Sequence, residues 1–301
     1  MTIAQAAMAG IATLRRTWRV TILFATSLAS GCSPTQLVNA LVPHDDFRLV
    51  ADRSYGDLPR QKLDIYMPIK TNRTTPVVIF FYGGNWQTGS KRDYLFVGQA
   101  LASRGFIAVI PDYRLYPEVR YPAFLEDGAK AVSWTLRHLD ELGGDPGSVH
   151  LMGHSAGGYI AAMLALDQRW LGSDRTRIAS AVGLAGPYDF LPLTDPVLQV
   201  IFGTEPDLSR TQPITYADGS AAPLLLVSGL DDTTVRPANS MHLAARVREH
   251  GGVAMEKYYP GVGHVALVAA IAAPLRFVAP TLADVVGFLK RDCTGRSKAA
   301  P

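Results

Sequence analysis

The sequence predicts an α/β protein whose core is a mainly parallel sheet with helices on both faces. Three observations carry that expectation. Eight short runs of strand length alternate with helix-like stretches between residues 47 and 290. Two of the runs, 77–81 and 106–110, are apolar at every position, as strands buried on both sides of a parallel sheet require. The chain has 301 residues, of which 48% are hydrophobic and 18% charged, enough to bury one large core and too apolar for global disorder.

Taken in order, residues 47–50 read as a first strand. Residues 61–67 alternate polar and apolar like a half-exposed strand, and Pro68 ends it. After a polar turn at 71–75 comes the buried strand 77–81, then Tyr82-Gly83-Gly84-Asn85-Trp86. A helix over 94–103 stops at Gly105, and strand 106–110 runs into Pro111-Asp112-Tyr113-Arg114. A long amphipathic helix is expected over 122–142, closed by Gly143-Gly144. Strand 149–152 leads to an Ala/Leu-rich helix at 156–166. Strands follow at 179–184 and 224–227, a helix at 237–249, and a strand at 254–259. The apolar run 265–273 suits core packing and is too short for a bilayer. A last helix spans 281–290, with Thr281 and Asp284 in capping-box spacing. The apolar residues within 191–202 fit a small lid or a packed helix equally well.

The N-terminus reads as a separate segment. Arg15, Arg16 and Arg19 precede an apolar run at 20–28, then small residues, then Cys32. That order is the secretory pattern, so residues 1–31 are expected to be a signal peptide. The placement of Cys32 resembles the bacterial lipoprotein box, which implies an exported, periplasmic or outer-membrane-anchored protein with lipid on Cys32. The net charge of +3 belongs to those three arginines, since the remaining 26 basic side chains balance 26 acidic ones. No basic, aromatic-interleaved patch points to nucleic acid. With only Cys32 and Cys293, neither a disulfide framework nor a zinc site can be assembled, and no metal or cofactor is expected. The folded domain is expected over 45–292, with 293–301 a frayed tail.

The chemistry centres on Gly153-His154-Ser155-Ala156-Gly157, a G-x-S-x-G run between an expected strand and an expected helix. A serine on such a sharp turn exposes its hydroxyl, and glycines two residues either side avoid collision with neighbouring backbone. The hydroxyl needs a base and the base needs an orienting acid, in the chain order Ser, acid, His. Such groups gather at the carboxyl ends of strands. Of seven histidines, His264 alone follows a strand and lies after the acids. His154, beside the serine, reads as packing. Two acids compete, Asp231 and Asp232: Asp232, in Asp232-Thr233-Thr234-Val235, is favoured, with Asp231 as a loop hydrogen-bonding residue, and Asp189, which also follows a strand, is the outside candidate and reads sooner as a turn residue beside the site. The oxyanion donors are expected at Ala156, Gly83 and Gly84, the two glycines leaving room for substrate.

Together, Tyr82-Gly83-Gly84-Asn85-Trp86, Asp112-Tyr113-Arg114, Gly153-His154-Ser155-Ala156-Gly157-Gly158, Asp232-Thr233-Thr234-Val235 and Gly263-His264 resemble the α/β-hydrolase carboxylesterases. The resemblance is to the hormone-sensitive-lipase-like and feruloyl-esterase-like branch, with isoprenylcysteine methylesterase as a relative. It implies an eight-stranded sheet, a small cap or none, and a serine esterase acting on short acyl or aryl esters. It also implies that Asp112 and Arg114 buttress the glycine loop. Where the family carries His-Gly-Gly-Gly, this chain reads Tyr82-Gly83-Gly84-Asn85. An amide hydrolase of the same fold and a non-catalytic hydrolase-fold binding protein are the rival readings.

Overall fold

Eight strands form one sheet in the order β1-β2-β4-β3-β5-β6-β7-β8. The computed structural model describes residues 38–43, 45–72 and 74–295, with side chains as far as residue 291. The strands are β1 (Phe47–Ser54), β2 (Lys62–Pro68), β3 (Thr75–Phe81), β4 (Ile107–Pro111), β5 (Gly144–His154), β6 (Ile178–Leu184), β7 (Leu224–Gly229) and β8 (Ala254–Tyr259). β1 pairs antiparallel with β2 and β2 with β4; every pairing from β4 through β3 to β8 is parallel. Every residue of β6 is buried, as are all seven from Ser148 to His154 in β5, so helices cover the central sheet on both faces. The sheet is thus the mainly parallel one that the pattern of runs predicts.

The helices that matter to the site are α1 (Leu95–Ala102), α2 (Ala123–Arg137), α3 (Ala156–Leu166), α4 (Pro196–Phe202), α5 (Ala238–Glu249), α6 (His264–Ala269) and α7 (Thr281–Gly295). α3 packs on β3, β5 and β6, α5 on β7 and β8, and α7 on β5, β6 and β7. No described helix is long and apolar enough to cross a membrane.

Three local expectations are corrected. β2 is buried along its length after Lys62 rather than half-exposed. α1 covers it, with Gly98 against the Tyr66 ring, and Lys91 Nζ reaches in to pair with Asp64 at 2.7 Å. The expected helix 122–142 breaks at His138, whose ring stacks on Trp134 and bonds the Trp134 carbonyl at 2.8 Å, leaving a separate turn at Leu139–Leu142. The capping box at Thr281 does not form. Asp284 N bonds to Pro280 O, so Thr281 sits inside the helix, where its buried Oγ1 has no partner. The Asp284 carboxylate instead accepts from Tyr259 Oη at 2.6 Å. α7 runs to Gly295; the residues after it, residues 1–31, Cys32 and the Cys293 side chain lie outside the described residues.

Candidate active site

Ser155 sits where β5 ends and α3 begins, with φ 55° and ψ −124°. A non-glycine residue in this region is strained, and the surroundings must hold it there. Ser155 N bonds to Leu184 O at 2.9 Å, which fixes the turn to β6. The flanking glycines are required by close approach. A Cβ on Gly153 would lie 2.1 Å from Gly157 O, and one on Gly157 would lie 2.0 Å from Phe81 O. The turn aims the hydroxyl into a cleft of about 750 Å³ whose walls include Asn85, Trp86, Ala156, Phe190 and Leu198.

The acid comes from the loop after β7. Asp232 Oδ1 accepts from the amides of Thr234 and Val235, each at 2.9 Å, so the turn Asp232-Thr233-Thr234-Val235 wraps its own carboxylate. The other oxygen, Oδ2, stands 2.7 Å from His264 Nδ1. His264 is the first residue of α6, and its Nε2 lies 2.9 Å from Ser155 Oγ. The carboxylate accepts from Nδ1–H, which leaves Nε2 to accept from the serine hydroxyl. The Asp232 side chain is 0% exposed and that of His264 12%, so the carboxylate is sealed from solvent and the imidazole nearly so. Asp231 Oδ1 accepts from Gly261 N at 3.2 Å, the loop role expected of it.

The glycine loop after β3 is built differently from the expectation. A Cβ on Gly83 would come within 2.9 Å of Ser155 Cβ, and one on Gly84, at φ +131°, within 2.1 Å of Thr88 O. Both glycines make room for protein rather than for substrate. The cleft is met instead by Asn85 and Trp86, which take φ 54° and 58°. Asn enters this region more readily than other side chains, and that was the readable signal. Tyr82, standing where the family has His, donates from its hydroxyl to Asp112 Oδ1 at 2.9 Å and accepts from Arg60 Nη2 at 2.8 Å. Its ring stacks on Tyr113 at 4.7 Å. Asp112 also accepts from Lys91 N at 2.7 Å, so it does brace the loop; burial raises its pKa. Arg114 does not: it grips Asp127 of α2 with Nε at 2.8 Å and Nη2 at 2.9 Å.

The short helix α4 answers both readings of residues 191–202. Ile201 and Phe202 are buried, Phe202 among Trp86, Tyr121, Phe124 and Tyr159, while Leu198 faces the cleft. The other described histidines serve local structure: His150 lies between Ser148 and Ser180, His250 bonds the Arg246 carbonyl, and His242 pairs with Asp189. His44 lies outside the described residues. His154 is more than packing, because its Nε2 bonds the main-chain oxygen of His264 at 3.1 Å. Among the described residues, no cluster of His, Cys, Asp or Glu can hold a metal ion.

A mostly parallel eight-stranded sheet, a serine at a strand–helix elbow and an imidazole between that serine and a carboxylate define an α/β-hydrolase. Within that class the chain belongs to the BD-FAE family, whose model matches residues 63–247. A probable isoprenylcysteine alpha-carbonyl methylesterase of Arabidopsis thaliana is 31% identical over 241 residues, covering 71% of this chain and 50% of that protein. The probable carboxylic ester hydrolase LipM of Mycobacterium tuberculosis is 32% identical over 218 residues, covering 63% of this chain and 49% of its own. The chain therefore spans about half the length of these curated relatives. Among solved structures, esterase B of Lactobacillus rhamnosis superposes with a TM-score of 0.76 at 20% identity, covering 88% of this chain and 92% of that one. A truncated carbohydrate esterase from gut microbiota gives 0.74 at 21% identity, covering 84% and 99%. At such identities these two speak for the fold alone.

Proposed function

We propose that this protein is a serine carboxylic-ester hydrolase acting on short acyl or aryl esters. The observation that carries the reading is His264 standing between Ser155 Oγ and Asp232 Oδ2 at 2.9 and 2.7 Å. Ser155 Oγ attacks the ester carbonyl while His264 Nε2 takes its proton, and Asp232 steadies the imidazolium that forms. The tetrahedral intermediate collapses, the C–O bond to the alcohol breaks, and His264 returns the proton to the departing oxygen. Water, deprotonated by the same ring, then hydrolyses the acyl-enzyme. The oxyanion meets the amide of Ala156, which as the first residue of α3 has no partner within the helix, and amides of the turn running from Gly83 through Gly84 to Asn85. Several of the relatives carry esterase names, which agrees with this chemistry. The Trp86 and Phe190 rings on one side of the cleft suit a small apolar or aromatic acyl group.

The secretory pattern at residues 1–31, with Cys32 behind it, supports export and attachment through a lipid on Cys32. The mass of the native N-terminal peptide tests the anchor, and an unmodified peptide beginning elsewhere ends it.

The test of the activity is hydrolysis of p-nitrophenyl esters of graded acyl length by the parent chain and by Ser155→Ala. The variant is expected to lose roughly four to six orders of magnitude in kcat. A Ser155→Ala protein turning over at the parent rate would refute the assignment.

A further inference from the structure

Resting on the reading of His264 as the base, we propose that His154 is a positioning residue: a buried imidazole that pins the main chain at His264 to the back of the nucleophile elbow. His154 is 4% exposed, and its ring centroid lies 4.7 Å from that of His264. Its Nε2 contacts His264 O at 3.1 Å. A carbonyl oxygen only accepts, so Nε2 carries the hydrogen and Nδ1 presents a lone pair. Nδ1 is buried without a hydrogen-bond partner, and a Cβ on Gly83 would come within 3.1 Å of it. One ring thus ties the segment that carries the nucleophile to the backbone that carries the base, on the side where Gly83 leaves it room.

The need for such a clamp follows from the loop it holds. His264 follows Gly261-Val262-Gly263, with Gly261 at φ +74°, and opens a helix of only six residues. Asp232 fixes the orientation of the His264 ring, at Nδ1. That bond leaves the ring free to travel with its own backbone. The bond from His154 fixes the backbone, and two fixed points hold Nε2 against Ser155 Oγ. A shift of about 1 Å at a reacting group can cost roughly a hundredfold in rate. The ring suits the task only while neutral, since a second proton would sit on Nδ1 with no acceptor, beside an imidazole that itself becomes positive during turnover. Burial and the neighbouring His264 push the His154 pKa down to about 3, which keeps it neutral.

The experiment compares His154→Leu and His154→Gln in the full chain. Leu keeps bulk and loses the donor; the Gln side-chain amide reaches the same carbonyl. With a short p-nitrophenyl ester, Leu is expected to lose about 10- to 100-fold in kcat with KM changed less than about threefold, and Gln to recover most of that loss. The low-field proton resonance of His264 Nδ1–H is read alongside: it should shift or broaden in Leu and return in Gln. A folded Leu variant with parent kcat and resonance overturns the proposal, as do Leu and Gln variants that lose rate equally. Should Leu not fold, Gln decides alone: parent-like kcat and resonance support the donor role, and a tenfold loss in folded Gln protein overturns it. A parent chain that cleaves no ester sinks the hydrolase reading instead, while the resonance still reports whether position 154 steadies His264.

Discussion

Two carboxylate–imidazole pairs stand near the cleft, and they share one geometry. Asp232 Oδ2 meets His264 Nδ1 at 2.7 Å, and Asp189 Oδ2 meets His242 Nδ1 at 2.7 Å. Each aspartate follows a strand, β7 or β6, and each histidine lies on a helix, α6 or α5. The difference lies in what surrounds them. Asp232 and His264 side chains are 0% and 12% exposed, with two backbone amides on the second carboxylate oxygen. Asp189 and His242 side chains are 34% and 57% exposed, and no described hydroxyl sits at His242 Nε2. A short contact between an acid and a histidine is therefore no sign of a catalytic pair. What distinguishes one is exclusion of water, a carboxylate already bonded on its other oxygen, and a nucleophile on the far nitrogen.

The largest expected effect breaks the comparison outright. Asp232→Asn places an amide beside His264 Nδ1, favours the hydrogen on Nε2, and leaves nothing to accept the Ser155 proton; kcat should fall by about four orders of magnitude. Asp189→Asn changes no tautomer facing Ser155, so its kcat should stay within about threefold of the parent. Steady-state kinetics on one ester decide both. A loss in Asp189→Asn equal to that in Asp232→Asn would move the acid to the other pair.

The buried pair also has a neighbour that the exposed one lacks. The depressed pKa of His154, about 3 against an ordinary 6.5, makes stability depend on pH in one direction. Between those values the unfolded chain holds a proton at position 154 that the folded chain does not. Folding stability must then fall as pH drops below about 6.5, by up to about 1.4 kcal/mol per pH unit from this group, until the folded pKa is reached. Urea unfolding from pH 7 to pH 4 should show a shallower acid loss in His154→Gln than in the parent. Equal slopes would show that the ring accepts its second proton in the folded protein.

How much of this was legible in the sequence depends on how local each signal is. Ser155, Asp232 and His264 each sit in a signature of three to five residues with its own backbone reason: close-approach glycines, a turn closing on its carboxylate, a glycine loop after a strand. The eight strands were legible from apolar period and length. What escaped is held by contacts distant in the chain. The bond from His154 to His264 joins residues 110 positions apart. Lys91, a charged side chain with no local signal of burial, is 2% exposed, and Asp52 and Asp64 meet its ammonium at 2.7 Å each. The break at His138 depends on its ring stacking on Trp134 four residues earlier, which a polar–apolar pattern does not encode.

The smallest effect sharpens the comparison from the other side. If burial is what gives the Asp232 pair its value, the exposed pair should contribute little to folding. A double-mutant cycle with Asp189→Asn, His242→Gln and both together should return a coupling of about 0.2–1 kcal/mol, the range of exposed ion pairs. Because both side chains reach solvent, salt should screen the charged part of that coupling. A coupling well above this range, unmoved by salt, would mean that Asp189 is held as firmly as Asp232. The reason would then lie in its seat: the Asp189 and Tyr188 amides both donate to Asn239 Oδ1, at 2.9 and 2.8 Å, on the same helix as His242. That bracket already orders the backbone, so replacing the side chains at 189 and 242 should leave the turn in place and cost only the contact between them.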